Sequence, residues 1–155
     1  MYVLPALNLY RDNRLTKHLA VNALLQMDNL VEVVAAYPLA SGYEALRSRN
    51  PGRYRADLRR RFPELGTIQD AHDCHKHGKL DRVSASEPRG IVEGRPERAI
   101  KRAVVCGVTR LGGELTPYET LAVTLNDGTE YEVFYLLIGG LQAWESEFQR
   151  LDLSL

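Results

Sequence analysis

Between Leu121 and Val133 apolar and polar residues alternate, and beyond that the spacing turns helical. Two registers compete for a β-hairpin in this stretch. With Asp127-Gly128 as a two-residue loop, Leu125 would oppose Glu130 and Val123 would oppose Glu132, mixing apolar and charged side chains on one face. With Asn126-Asp127-Gly128 as a three-residue loop, Leu125 opposes Thr129, Val123 opposes Tyr131 and Leu121 opposes Val133. The apolar residues then share one face, and Thr120, Thr124, Glu130 and Glu132 share the other. A slip of one residue exchanges the faces, so the second register is expected. It is also the common type I turn with a bulge, in which Gly128 takes the left-handed position.

Downstream, Leu141, Trp144, Phe148 and Leu151 recur at i, i+3, i+7 and i+10, one helical stripe that can cover the hairpin's apolar face. Gly139-Gly140 is read as the bend between strand and helix.

The earlier chain reads as helical. Residues Tyr2 to Leu4 suggest a short strand held to an edge by Pro5. A long helix follows, capped by Asp12 or Asn13 and running to about residue 35. Ala20, Leu24, Met27, Val31 and Val34 form its inner stripe, and Arg14, Lys17, Asn22 and Asp28 face outward. Ser41 with Glu44 makes a capping box for a short helix to Arg49. Asn50-Pro51 opens another helix, with Tyr54, Leu58 and Phe62 inward and Pro63 as its stop. Residues 66–100 show no sustained period and are expected to be irregular. A strand is expected from Ala103 to Leu111, turned by Gly112-Gly113 into the hairpin.

The expected fold is therefore α+β in a single domain, 1–155. It has an N-terminal helical half (1–65), an irregular middle (66–100), and a C-terminal antiparallel sheet of three or more strands, including the β-hairpin, packed by a C-terminal helix (101–155). A chain of 155 residues can bury its own core. The opening residues are interrupted by Pro5, Asn8, Arg11 and Asp12, so neither a signal peptide nor a membrane span is read there, and a cytoplasmic location is expected.

Charge changes the picture. The 20 basic and 20 acidic residues cancel, but they are segregated. Residues 47–61 carry seven arginines (47, 49, 53, 55, 59, 60 and 61) against Asp57, a balance of +6. Residues 112–155 carry eight acids against Arg150, a balance of −7. Such patches can meet within one fold, pair two copies as a homodimer, or recruit a partner.

Three functional readings follow. The first is a non-catalytic protein-binding regulator or inhibitor occupying a surface of a larger protein or complex. Its contact residues would be Arg47, Arg49, Arg53, Arg55, Arg59, Arg60, Glu130, Glu132 and Glu145. Small, motif-free, charge-patterned chains of this type include proteins of phages and mobile elements, among them inhibitors of bacterial immune complexes; the likeness is one of type. The second is a nucleic-acid-binding protein whose arginines at 53, 55, 59 and 60 take phosphates, although no aromatic residues interleave them.

The third is a metal-dependent hydrolase at His72, Cys74, His75 and His77, since imidazole and thiolate are preferred zinc ligands. Structural zinc sites draw on two separated pairs, whereas these donors are local. On a helix only His72 with His75, or Asp73 with His77, would share a face. Apart from zinc there, no cofactor is expected. No phosphate loop, dinucleotide fingerprint, H-E-x-x-H or G-x-S-x-G occurs, which lowers the odds of the common enzyme classes.

Overall fold

The computed structural model describes residues 3–36, 51–77, 100–108, 115–125 and 129–153. Among them are five helices and one three-stranded sheet. The elements are α1 (Val3–Arg11), α2 (Lys17–Ala36), α3 (Pro51–Arg61), α4 (Pro63–His77), β1 (Ile100–Val108), β2 (Leu115–Thr124), β3 (Glu130–Glu132) and α5 (Val133–Arg150). The expected helix from Ser41 to Arg49 and the turns at Gly112-Gly113 and Asn126-Asp127-Gly128 lie outside the described residues.

The opening segment is a helix where a strand was expected. Pro5 stands in its first turn, where no intrahelical N–H bond is lost. Asn13 closes this helix: its amide N–H bonds the Tyr10 carbonyl at 2.9 Å and its side chain bonds the Leu9 carbonyl at 3.1 Å. The next helix therefore starts later than expected, on Thr16, whose carbonyl accepts from Leu19 and Ala20. The expected stripe of α2 is buried in full, at Ala20, Leu24, Met27, Val31 and Val34. Helices α1, α3, α4 and α5 all pack against it, making α2 the centre of the helical layer. Its length and composition would allow it to cross a membrane, but that apolar stripe faces the core.

Pro63 both ends α3 and begins α4. Phe62 alone separates the two helices: its N–H bonds the Leu58 carbonyl at 2.7 Å, and its own carbonyl accepts from Leu65 at 3.1 Å. The expectation of an irregular middle thus fails over 66–77. Gly66 and a polar composition hid a helix that buries Leu65, Ile68, Ala71 and Cys74 at helical spacing. Residues 78–99 lie outside the described residues.

The sheet is antiparallel in the order β1-β2-β3. Val123 pairs with Tyr131 and the Leu125 N–H bonds the Thr129 carbonyl at 2.7 Å, which is the three-residue-loop register. Pro117 lies in the part of β2 that pairs with β1 alone, the edge position that proline's missing N–H requires. The third expected pair, Leu121 with Val133, does not form. Glu132 is the extended N-cap residue of α5, and the chain becomes helical at Val133. The helix then runs without a break through Gly139-Gly140, where a bend was expected, and packs on the sheet.

Candidate functional site

The arginine segment points inward more than its sequence suggests. On α3, Arg59 makes a bidentate pair with Asp70 of α4, at 2.7 and 3.1 Å, and bonds Gln69 at 3.0 Å. Arg61 reaches Glu147 of α5 at 2.5 and 3.1 Å. Arg55 lies 3.4 Å from Asp28 and 3.9 Å from Glu32, both on α2. Arg53 and Arg60 are exposed. Arg47 and Arg49 lie outside the described residues. The opposite charges of the sequence thus meet inside one molecule at Arg61–Glu147, and two further arginines of the basic segment hold acids of α2 and α4.

Glu147 is the most completely satisfied of these acids. It is 0% exposed, and its two oxygens accept five hydrogen bonds. The donors are Tyr54 Oη at 2.8 Å, two nitrogens of Arg61, and two nitrogens of Arg150 at 2.8 and 2.9 Å. Burial pushes the carboxyl up, but the hydrogen bonds from Arg150, Arg61 and Tyr54 outweigh it and hold the pKa down at about 2. Burial and the neighbouring Glu147 charge raise the Tyr54 hydroxyl far above its ordinary value. A carboxylate held by five donors has no lone pair left for proton transfer, so this is a structural clamp.

The acids expected on the outer sheet face and the helix divide. Glu130 and Glu145 are exposed. The Glu132 side chain is nearly covered; it accepts from Tyr118 Oη at 2.7 Å and lies 3.6 Å from Arg14, whose guanidinium stacks 3.8 Å from the Phe134 ring centre. The bond to Glu132 pushes the Tyr118 hydroxyl up to about 12.

The His/Cys run lies on α4, and the helix distributes it around several faces. His72 is buried, Cys74 points into the core, and His75 is exposed; the His77 side chain lies outside the described residues. Burial, reinforced by the Asp70 charge, raises the Cys74 thiol, which disfavours the thiolate needed for a nucleophile or a metal ligand. His75 is lowered by burial and by the positive charge of Lys17.

What the fold does bring to His72 is Asp28, an acid that the period of α2 placed outward. Asp28 is only 7% exposed, and its Oδ2 lies 3.0 Å from His72 Nδ1. Asp73 is the third member: a ligand atom from each of Asp28, His72 and Asp73 lies within 4.8 Å of the others. Sequence reasoning found His72 but had no route to Asp28, which is 44 residues away. The one available signal was an acid directly following Met27 of the inner stripe.

The remaining surface of note is β1. It is an edge strand of nine residues, paired on one side with β2, and among the described residues no strand pairs with its other side. Arg102 is exposed there, and Val104 is 67% exposed.

Comparison with known proteins returns no match: no protein-family model, no curated protein and no solved structure aligns significantly with this chain.

Proposed function

We propose that this chain is a non-catalytic binding protein that docks on a larger protein through the outer edge of β1. The observation that supports it is Val104, a large β-branched residue 67% exposed on an edge strand nine residues long. An open edge offers a row of backbone donors and acceptors, and soluble proteins commonly blunt such edges with charge or proline. A partner presenting an extended segment would add a strand here, its backbone giving affinity and Val104 an apolar contact. The inward arginines favour this reading over phosphate binding. Arg55, Arg59 and Arg61 already hold buried or partly buried carboxylates, so a nucleic acid would have to compete with those pairs.

The test is capture of partners from the native host's lysate, with and without nuclease, by wild type and by Val104→Lys. The expected result is a stoichiometric protein that survives nuclease and is lost on Val104→Lys, with the melting temperature of the variant unchanged. A partner still captured by Val104→Lys would remove the edge as the docking surface. Capture that vanishes with nuclease would replace a protein partner by a nucleic acid.

A further inference from the structure

We infer that Asp28, His72 and Asp73 form a binding site for a divalent metal ion of the zinc class, a donor set other than the His/Cys run of the sequence. Asp28 comes from α2, while His72 and Asp73 are neighbours on α4, so an ion here would tie together two helices that already pack. Three features point to a cation. The first is geometry. A tetrahedral ion with bonds of about 2.0–2.1 Å holds its ligand atoms about 3.3 Å apart. His72 Nδ1 and Asp28 Oδ2 already stand 3.0 Å apart, and all three ligand atoms lie within 4.8 Å of each other.

The second feature is charge. Arg55 is within 4.0 Å of both Asp28 and Glu32, and Asp73 sets a third carboxylate beside Asp28, so these four groups carry a formal balance of −2. A dication neutralises it. The third is Asp73 itself. Among the described residues its side chain makes no hydrogen bond or ion pair, yet the fold sets it beside a buried carboxylate. Like charges at that range repel unless a cation lies between them. Asp73 is also only half-buried, which leaves an entry path and room for water as the fourth ligand. One imidazole and two carboxylates suit zinc or manganese better than magnesium, which prefers oxygen alone.

The experiment is calorimetric titration of zinc chloride into protein purified without a histidine tag and stripped with chelator, with magnesium chloride as the control. Wild type should bind one zinc per chain and melt at a higher temperature with zinc present, while magnesium does neither. Asp73→Asn should weaken zinc binding at least tenfold, and the metal-free variant should melt no lower than wild type, because the change relieves the repulsion with Asp28 and breaks no other contact. His75→Ala should bind as wild type does. Absence of uptake at millimolar zinc would overturn the site. So would affinity unchanged by Asp73→Asn, or binding lost in His75→Ala, since either would place the ion on surface histidines.

Discussion

Gly140 of α5 faces Ile68 of α4 so closely that a methyl group at position 140 would stand 2.5 Å from Ile68 Cδ1. Ile68 is fully buried, and Met27 and Leu65 close the remaining space at 3.5 and 3.6 Å. Gly140→Ala gains about 1 kcal/mol of helix propensity but overpacks this contact, for a net cost of about 1–2 kcal/mol. At Gly139 the added carbon would meet Glu64 Cγ at 3.1 Å, on a flexible, exposed side chain that can swing away. Gly139→Ala should be neutral or stabilising by up to about 1 kcal/mol. Paired melting curves would check the contrast, and equal effects would contradict it.

The same glycines show what the sequence could and could not convey. Val133, Leu137, Gly140 and Trp144 fall at i, i+4, i+7 and i+11, so the helical period runs through the pair that looked like a bend. Glycine reads as a breaker when only local propensity is considered; here it is the residue that lets two helices approach. The hairpin register was legible because one slip would have turned Leu121 and Val123 outward. The α2 stripe was legible for the same reason. The pairs that hold the helices together were not. Arg61 and Glu147 are 86 residues apart, and nothing local in either segment names its partner.

Trp144 is 1% exposed and lies 5.6 Å from the Phe148 ring, one turn beyond Gly140 on the buried side of α5. Trp144→Ala should cost about 3–5 kcal/mol. Its indole N–H has no partner among the described residues, so Trp144→Phe gives up packing volume and no hydrogen bond. That variant should cost less than half as much, about 1–2 kcal/mol. Chemical denaturation of the two variants would check the ratio.

Glu147 should make the protein acid-sensitive in a defined window. Its folded pKa is about 2, below the ordinary 4.5. A depressed carboxylate contributes stability that is complete above the unfolded value and is lost as pH falls toward the folded one. The loss should therefore run from about pH 4.5 down to about pH 2. Glu147→Gln removes the charge while keeping the shape, leaves Arg61 and Arg150 facing a neutral amide, and should cost about 3–5 kcal/mol at pH 7. The variant's stability should also vary less with pH across that window. An unchanged acid slope would show that other carboxylates carry it.

Cys74 is fully buried on α4 with its thiol raised, so it should resist alkylation in the native protein at pH 8. Mass mapping after a short iodoacetamide pulse should find Cys74 unmodified until denaturant is added. Rapid labelling would mean that α4 opens locally far more readily than its packing implies.

The arginines of α3 should sort by partner and not by position in the charged run. Arg59 is mostly buried and holds Asp70 through two bonds of 2.7 and 3.1 Å. Arg59→Met keeps most of the side-chain volume but strips a buried carboxylate of both bonds, and should cost about 3 kcal/mol or more. Arg59→Lys cannot rebuild the fork and should recover only part of that loss. Arg60 lies 79% exposed, 3.8 Å from Asp57, and Arg53 is exposed on the same helix. Charge reversal at 53 and 60 should shift stability by about 0.5 kcal/mol or less each. Denaturation of the four variants in parallel would separate the two groups. If Arg60→Glu proved as damaging as Arg59→Met, the division of this helix into an inner face of buried pairs and an outer, solvated one would be wrong.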